Sequence, residues 1–429
     1  MRIAFITSGA AGMYCGSCMH DNTLASALIK QGHDALLIPT YTPIRTDEDD
    51  VSRPRVFFGG INVYLQQKWQ LFRHTPWLLD RLFDFPRLLR WVARFAVRTQ
   101  AERLGELTVS MLEGARGKQR KEVTKLVHFL RTEVRPQVLV FSNVLLSGIL
   151  PELKHELNVP ILAVLQGDDI FLEALPAEYR DQAITLIREN ASAIDGYFST
   201  SAYYADFMAG YLGLPRRRMH VVYPGLNLRG HGGPREFRAE PPFTVGYFAR
   251  ISPEKGLHNL VDAYIRLRQL PDAPPSRLRI SGWLGDNNRP FFDTQMQKLR
   301  DAGLGADVDH VPSPDHAGKV AFLQSLDVLS VPTTYREPKG LYVLEALANG
   351  VPVVQPRHGS FPELVEATGG GLLVEPENPA ALAEGLKRLL TDAALRQELG
   401  RKGKEAVHTR FTAERMAAET AEVLGRYTR

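Results

Sequence analysis

The sequence predicts an α/β protein made of two doubly wound domains. Its length of 429 residues favours two or three domains, since a domain commonly holds about 100 to 200 residues. In both halves, short apolar runs alternate with segments of helical spacing, which is the pattern of a parallel sheet covered by helices on both faces. Hydrophobic residues make up 44% and charged residues 23% of the chain, so both domains have the composition to bury a core.

The N-terminal domain is predicted over residues 1–225. It begins with a strand at 3–6, a loop at 8–17, a helix around 24–29 and a second strand at 35–39. Further strand-like runs lie at 137–141, 160–165, 197–200 and 220–223. Because sheets of this kind bind ligands at the carboxyl ends of their strands, the loop after the first strand is a candidate site.

A helical insertion is predicted around residues 69–133, where this alternation stops. Trp and Phe residues are interleaved with Arg in its first part. We favour helices that pack on the sheet and leave the arginines in solvent, because packed helices bury such aromatic residues far more often. The alternative is an amphipathic surface that rests on anionic lipid.

The segment 226–242 is rich in Gly, Pro and Arg and is predicted to be an interdomain linker. Beyond it, residues 243–410 form a second predicted doubly wound domain, and residues 411–429 a helix that can return to the N-terminal domain. The strands are predicted at 243–247, 278–281, 308–311, 328–331 and 351–355, and two helices at 257–269 and 341–349. Two such domains joined by one linker favour a ligand held in the cleft between them.

Charge and hydropathy limit the cellular locations and the binding partners that we expect. The 52 Lys and Arg against 48 Asp and Glu leave a formal net charge of +4, so nucleic acid is not an expected partner. The first apolar run leads into a Gly-rich loop and is expected to be a strand rather than a signal peptide. No stretch approaches the roughly 18 apolar residues of a spanning helix. We expect a cytoplasmic protein. If the predicted insertion does rest on lipid, the protein would lie at the inner face of the membrane.

The strongest candidate site lies in TTYREPKGLYVLEALANGVPVVQP, residues 333–356, where seven residues separate Glu337 from Glu345. An apolar helix is expected to begin after Gly340. The amides of Gly340, Leu341 and Tyr342 would then be unpaired donors at a helix N-terminus, which favours a phosphate group. Glu345, one turn into the helix, suits a pair of vicinal hydroxyls. A nucleotide sugar offers both a diphosphate and a ribose.

This stretch resembles the signature of family 4 glycosyltransferases, retaining enzymes with two facing Rossmann-like domains (the GT-B fold) and a motif of two glutamates with seven residues between them. Residues 246–264, GYFARISPEKGLHNLVDAY, are similar to the family segment that supplies Arg250 and Lys255 to the diphosphate. HVVYPGLN, residues 220–227, is similar to the family's interdomain Pro-Asn-Gly segment, with Gly225 in place of the Asn. The resemblance covers the C-terminal half and parts of the N-terminal half.

The resemblance implies a hexosyltransferase that moves a sugar from a nucleoside diphosphate sugar to a glycan, lipid or small-molecule acceptor. Arg250 and Lys255 would stabilise the leaving diphosphate, and Glu337 would bind the sugar hydroxyls. No cofactor and no metal site are expected, and the acidic run at 47–50 is interpreted as a solvated loop. Two alternatives stay open: a sugar-nucleotide epimerase of the same two-domain form, and a non-catalytic nucleotide-sugar-binding protein.

In the N-terminal domain, the resemblance implies a donor contact at Gly16 and an acceptor-side role for His20. Asp21 and Asn22 follow on the same turn and could also reach an acceptor. Gln166 stands where many family members have a His, and an amide cannot act as a base. Asp168 or Asp169 could take the acceptor proton instead, although an Asp pair in a loop is more often a helix cap or solvated.

Cys15 and Cys18 are the only cysteines in the chain, too few for a disulfide-stapled secreted protein. Their Cys-x-x-Cys spacing allows a redox interpretation because a helix N-terminus lowers the pKa of a thiol. Zinc normally needs about four ligands, and no second Cys pair is present. We favour structural or acceptor-side cysteines.

Overall fold

The structure is a computed structural model of the chain, and it describes residues 1–9, 15–54, 56–58, 101–234, 237–312 and 315–428. The chain forms two compact units. The N-terminal unit comprises Met1–Tyr223 together with Ala413–Arg429, and the C-terminal unit comprises Pro224–Thr412. The aromatic and basic part of the predicted insertion, residues 69–95, lies outside the described residues, so the lipid alternative stays a prediction.

The N-terminal unit is built on a parallel six-stranded sheet. Its strands are β1 (Arg2–Thr7), β2 (Asp34–Pro39), β3 (Val138–Phe141), β4 (Ile161–Leu165), β5 (Gly196–Ser199) and β6 (Met219–Val221), in the order β2-β1-β3-β4-β5-β6. The helices described in this unit are α1 (Gly16–Lys30), α2 (Ala101–Leu112), α3 (Arg120–Phe129), α4 (Leu150–Leu157), α5 (Asp168–Glu173), α6 (Ala177–Asn190), α7 (Ala202–Leu212) and α15 (Ala413–Tyr427).

Strand β1 shows why this sheet is covered on both faces. Successive side chains of a strand point to opposite faces, and both sets are apolar here. Ile3 and Phe5 belong to one core cluster, whereas Ala4 and Ile6 belong to another. Met416 of α15 lies in the cluster that holds Ile3 and Phe5. Helix α15 therefore completes the core of the N-terminal unit although the whole C-terminal unit precedes it in the chain.

The C-terminal unit is built on a second parallel six-stranded sheet. Its strands are β7 (Phe243–Phe248), β8 (Ser276–Gly282), β9 (Val308–Pro312), β10 (Val328–Leu329), β11 (Val353–Pro356) and β12 (Gly371–Val374), in the order β12-β11-β10-β7-β8-β9. The helices described in this unit are α8 (Leu257–Leu267), α9 (Arg289–Asp301), α10 (His316–Gln324), α11 (Leu341–Ala348), α12 (Phe361–Thr368), α13 (Pro379–Thr391) and α14 (Ala393–Arg410).

Both sheets are doubly wound, as the sequence predicts. The strand order reverses between β1 and β3 in the N-terminal unit and between β7 and β10 in the C-terminal unit. Open α/β sheets bind ligands beyond the carboxyl ends of the strands at such a reversal. The loops after these four strands are therefore the first places to look for a site.

Two local features differ from the expected elements. Strand β12 was not predicted, because the glycines at 369–371 favour a loop and hide the short apolar run that follows. The segment 226–242, expected to be a linker, is tied at two points to the C-terminal unit. The amide of Leu226 donates to the carbonyl of Phe411 at 2.9 Å, and the amide of Gly232 donates to Asn349 Oδ1 at 3.2 Å.

A helix that crosses a bilayer must be long and predominantly apolar. None of the helices in the described part of the chain combines the length and the apolar character that crossing a membrane requires.

Candidate functional site

The loops after β7 and β10 meet at the strand reversal of the C-terminal unit. Gly256 has a φ of +72°, and a Cβ at this position would overlap the carbonyl oxygen of Pro332. The amide of Thr334 donates to the carbonyl oxygen of Glu254 at 3.0 Å. Only glycine combines this positive φ with such a close approach, so Gly256 lets the two loops come into backbone contact.

Glu337 is the centre of the side-chain cluster that these loops form. Its Oε2 atom accepts hydrogen bonds from Lys255 Nζ at 2.8 Å, from the Tyr335 hydroxyl at 2.6 Å and from the Tyr342 hydroxyl at 2.9 Å. Glu337 is only 4% exposed. We call these four residues the Glu337 cluster. It joins the loop after β7 to the loop after β10 and to the first turn of α11.

The Glu337 cluster holds a charged carboxylate out of water. Burial alone would raise the pKa of Glu337, but the charge of Lys255 and the hydrogen bonds from Lys255, Tyr335 and Tyr342 outweigh it and lower the pKa to about 2. Burial, and then the Glu337 charge, raise the pKa of both tyrosines well above the usual value. The tyrosines therefore stay protonated and donate, while Glu337 only accepts.

Lys255 is held from several sides. Besides Glu337, its ammonium group donates to the Tyr335 hydroxyl. It lies 4.9 Å from the ring centroid of Tyr335 and 5.2 Å from that of Tyr342, within the range of cation–π attraction. Among the described residues, these contacts use two of the three ammonium protons. The third proton remains for a ligand.

Arg250 lies at the other end of the same turn. Its guanidinium pairs with Glu254, and both side chains are about one third exposed. The buried hydroxyl of Tyr247 donates to the carbonyl oxygens of Arg250 and Lys255, at 3.2 and 3.4 Å. These hydrogen bonds hold the backbone of the turn in place at both Arg250 and Lys255. The side chain of Arg250 lies outside the Glu337 cluster.

The N-terminus of α11 lies against the carboxylate. Gly340 has a φ of +62°, and its amide donates to Glu337 Oε1 at 3.3 Å, as does the amide of Lys339. The amides of Leu341 and Tyr342 open the helix, where backbone donors have no intrahelical partner. The amides of Gly340, Leu341 and Tyr342 were expected to face a phosphate. In the structure, the amide of Gly340 donates to Glu337 instead.

Glu345 does not join the Glu337 cluster. It lies one turn into α11 and pairs with Lys319 of α10, with 2.8 Å between Nζ and Oε1. Sequence reasoning missed both Lys319 and Tyr335. Lys319 follows Gly318 in an otherwise apolar helix, and a lysine at a core-facing position of such a helix was the available signal.

In the N-terminal unit, three of the residues predicted to lie on the acceptor side, His20, Asp21 and Gln166, lie together at the Asp21 carboxylate. Its Oδ2 atom accepts from the hydroxyls of Thr7 at 3.1 Å and Ser142 at 2.5 Å. Its Oδ1 atom lies 3.3 Å from both Gln166 Nε2 and His20 Nδ1. Thr7, Ser142 and Gln166 stand at or just beyond the ends of β1, β3 and β4. The structure thus brings His20, Asp21 and Gln166 together at the predicted edge of the sheet.

Asp168 connects two loops of the same unit. Its carboxylate accepts from the amides of Val144 at 2.9 Å and Gln166 at 3.2 Å. Burial raises the pKa of Asp168 to about 6, against the opposing effect of these hydrogen bonds. Its neighbour Asp169 accepts from the Tyr204 hydroxyl at 2.5 Å. Asp168 is therefore neither solvated nor a simple cap of α5.

The first turn of α1 contains Gly16 and the two cysteines. Gly16 is the first residue of the helix, and Cys15 before it has an extended backbone. Cys18 is buried and Cys15 partly exposed, and neither forms a disulfide. Within the described ranges, no three side chains of His, Cys, Asp or Glu converge as a metal site.

Known proteins resemble this chain in sequence and in fold. Residues 234–406 match the family model described as glycosyl transferases group 1. The chain is 35% identical to an uncharacterized glycosyltransferase of Methanocaldococcus jannaschii, over 99% of this chain and 97% of that protein. It is 31% identical to a glycogen synthase of Mycobacterium tuberculosis, and there the match spans 42% of each chain. The crystal structure of HepE from Anabaena in complex with UDP superposes with a TM-score of 0.68 at 17% identity, over 99% of this chain and 100% of that one.

The fold and the comparisons define the class of this protein. Two doubly wound units with parallel sheets, matched over their full length by a solved structure, are the GT-B fold. The full-length match to the archaeal glycosyltransferase identifies the family. The chain belongs to the glycosyltransferases, and its residues 234–406 match the group 1 model.

Proposed function

We propose that this protein is a retaining glycosyltransferase of the family 4 type, which transfers a sugar from a nucleoside diphosphate sugar to an acceptor. The observation that carries the proposal is the Glu337 cluster. It places a lysine with an available proton and an ionised carboxylate beside the first amides of α11. This arrangement offers donors to a diphosphate and an acceptor to the sugar hydroxyls.

The cationic groups of the cluster suit the leaving diphosphate. Negative charge accumulates on it as the glycosidic bond breaks, and preorganised donors aimed at that charge stabilise the transition state. Lys255 would bind one phosphate oxygen through its third proton. Arg250 would exchange its exposed contact with Glu254 for a fork to two oxygens. The amides of Leu341 and Tyr342 would complete the site.

Glu337 would orient the donor sugar. An ionised carboxylate only accepts hydrogen bonds, and a sugar ring presents hydroxyl donors to it. Retention rests on the resemblance to family 4. In that chemistry the acceptor oxygen attacks on the side from which the diphosphate departs, and the leaving phosphate takes the acceptor proton. The charge of the diphosphate would be met by Arg250, Lys255 and the helix amides, with no cofactor and no metal ion.

The acceptor would bind to the N-terminal unit, where His20 and the hydrogen-bonded residues around Asp21 lie beyond the ends of the strands. The HepE structure contains UDP, which makes UDP-sugars the first donors to test. The relatives named above are a glycosyltransferase and a glycogen synthase. No observation favours an epimerase or a non-catalytic sensor over transfer.

A ligand panel tests the proposal. Thermal unfolding is measured with UDP, GDP, ADP and their glucose and N-acetylglucosamine derivatives, because a ligand at 100 times its dissociation constant stabilises by about 2.7 kcal/mol. One nucleoside diphosphate should raise the melting temperature. With its sugar donor and a glycan, lipid or small-molecule acceptor, NMR should show that the product keeps the anomeric configuration of the donor. A panel without any stabilising member contradicts the proposal, and an inverted product contradicts the retaining part.

A further inference from the structure

The hydroxyl of Tyr335 joins the two charged groups of the Glu337 cluster. It donates to Glu337 Oε2 at 2.6 Å and accepts a hydrogen bond from the Lys255 ammonium group. Lys255 Nζ also donates directly to Glu337 Oε2 at 2.8 Å. The three atoms form a closed triangle of hydrogen bonds. Two bonds therefore fix the position of the ammonium group, where a simple ion pair would supply one.

The need to satisfy its own hydroxyl does not explain the second contact of Tyr335. Tyr342 donates to the same carboxylate oxygen at 2.9 Å, and its ring centroid lies 5.2 Å from Lys255 Nζ, against 4.9 Å for Tyr335. A buried tyrosine hydroxyl usually finds one partner, and Glu337 supplies it in both cases. Within the part of the chain that the structure describes, the Lys255 ammonium group donates to the hydroxyl of Tyr335 and not to that of Tyr342.

The backbone around Tyr335 is fixed against the loop that carries Lys255. The amide of Thr334 donates to the carbonyl oxygen of Glu254 at 3.0 Å, one residue before Lys255. The hydroxyl of Thr333 donates to the carbonyl oxygen of Tyr335 at 2.9 Å. Tyr335 therefore starts from a defined backbone position relative to Lys255, as a preorganised supporting group requires.

A fixed ammonium group matters because a lysine side chain is otherwise mobile. Its charge stands on a flexible four-carbon stem and carries three rotatable donors. In Lys255, two of these donors are engaged by Tyr335 and Glu337, so the tetrahedral geometry of the nitrogen sets the direction of the third. Electrostatic stabilisation depends on donors that are already aimed at the charge they meet.

We infer that Tyr335 is a positioning residue, which aims the third proton of Lys255 at the terminal phosphate of a nucleoside diphosphate. The inference rests on the proposed donor function. A free nucleoside diphosphate carries on its terminal phosphate the charge that the leaving group acquires when the glycosidic bond breaks. The monophosphate lacks that phosphate. Tyr335 should therefore contribute to binding of the diphosphate and not of the monophosphate.

Calorimetry with paired nucleotides tests this role. UDP, GDP and ADP are titrated first, and the one that binds is compared with its monophosphate. Tyr335→Phe removes the hydroxyl but keeps the ring and leaves Lys255 paired with Glu337. It should lower the affinity for the diphosphate by about 10-fold, the lower end of the range for a hydrogen bond to a charged group, and change that for the monophosphate by less than about threefold.

Other tyrosine variants serve as comparisons. Tyr264→Phe removes a buried hydroxyl of the same unit that donates to the carbonyl oxygen of Ser276 at 2.7 Å, and it should keep the preference for the diphosphate. Tyr342→Phe removes the other hydroxyl bound to Glu337 and should lower the preference less than Tyr335→Phe does. Tyr335→Met has a flexible side chain that fills irregular space. It should repeat the loss, and it carries the comparison if Tyr335→Phe does not fold.

A double-mutant cycle separates positioning from a general structural effect. The background Lys255→Met/Glu337→Gln removes both charges, so no lone buried charge remains. If Tyr335 acts through Lys255, adding Tyr335→Phe to this background should change the preference for the diphosphate by less than about twofold, because effects that share one partner are not additive. A structural effect of Tyr335 would persist in this background.

The outcomes distinguish the inference from the proposed function. Equal weakening of diphosphate and monophosphate by Tyr335→Phe, or an unchanged affinity for the diphosphate, would overturn the inference and leave the proposed donor site standing. So would a loss of the same size in the Lys255→Met/Glu337→Gln background. A wild-type protein that binds none of the three diphosphates would overturn the proposed function, and the inference with it.

Discussion

Glu337 keeps its charge in a buried place because every group around it donates. The sign of its pH effect follows from the lowered pKa, from the usual 4.5 to about 2. A carboxylate with a depressed folded pKa contributes stability above its unfolded pKa and loses it as the pH falls through the folded one. Between pH 5 and 2 this single group should remove about 3 kcal/mol from the free energy of unfolding.

Urea unfolding of the wild type and of Glu337→Gln at pH 5, 3.5 and 2.5 measures that contribution. The amide does not titrate, so the variant should lose less stability between pH 5 and 2.5 by about 2 kcal/mol. Parallel pH curves for the two proteins would mean that the Glu337 carboxylate has an ordinary pKa.

Lys255 and Arg250 should differ in their effect on stability. Lys255→Ala leaves the buried Glu337 carboxylate without its counter-charge, which typically costs about 3 to 5 kcal/mol. Arg250→Ala removes a partly exposed ion pair with Glu254, a change of about 1 kcal/mol or less. Chemical unfolding at pH 7 compares them. Equal losses would contradict the central position of Lys255 in the cluster.

Both substitutions should lower turnover by about 100-fold to 1,000-fold, because in the proposed mechanism each removes a donor to the charge that grows on the leaving diphosphate. The dissociation constant for the donor should change less, since that charge is larger in the transition state. Steady-state kinetics with the donor found in the ligand panel provides the measurement. A raised Michaelis constant with an unchanged turnover number would show uniform binding instead.

Only some residues of the candidate site could be predicted from the sequence. Glu337, Lys255 and Tyr342 could be predicted because they lie in motifs whose chemistry is visible in a short stretch. Lys319 could not, since its partner Glu345 is 26 positions away in the chain, and the contact of Tyr335 with Lys255 spans 80 positions. Only the packing of separate loops and helices brings such pairs within hydrogen-bonding distance.

At the scale of elements, the approach of the loops after β7 and β10 depends on one backbone position. Gly256→Ala should disrupt it, because a Cβ would overlap the carbonyl oxygen of Pro332 and the φ is +72°. Gly303→Ala is the matched control, with a φ of +75° and nothing within 4 Å. The control should cost only the left-handed backbone penalty, about 1 to 2 kcal/mol.

Unfolding experiments on the two glycine variants isolate the steric part. Gly256→Ala should be less stable than Gly303→Ala by at least about 1 kcal/mol, the scale of an overpacked site. It should also lose donor binding, which the control keeps. Similar stability and binding in the two variants would mean that the two loops do not need this close approach.

The order and type of most elements could be predicted because apolar runs and helical spacing alternate so regularly. Strand β10 is shorter than the predicted 328–331, although the amide of Ser330 still donates to Gly246 at 3.0 Å. Strand β12 was missed because its pattern follows three glycines. Such boundaries depend on neighbouring strands rather than on local composition.

At the scale of the whole molecule, the proposed chemistry relies on protein cations and helix amides rather than on a bound metal. Transfer activity should therefore survive excess EDTA with less than about a twofold change, since the charge-stabilising groups are part of the chain. The assay is sugar transfer before and after chelation, with Mg²⁺ and Mn²⁺ added back as controls. Loss of activity that one of these ions restores would contradict the metal-free proposal.

The placement of α15 has a consequence for how this protein is made. A ribosome emits the chain from the N-terminus, and domains generally fold as units during synthesis. Residues 1–223 emerge first, yet Met416 and Leu424, which complete one of their two core clusters, are translated only after Pro224–Thr412. All strands of the C-terminal unit are synthesised before α15. We therefore expect the C-terminal unit to finish folding before the N-terminal unit during synthesis. At that stage the N-terminal unit would still expose the apolar face of its sheet that α15 covers.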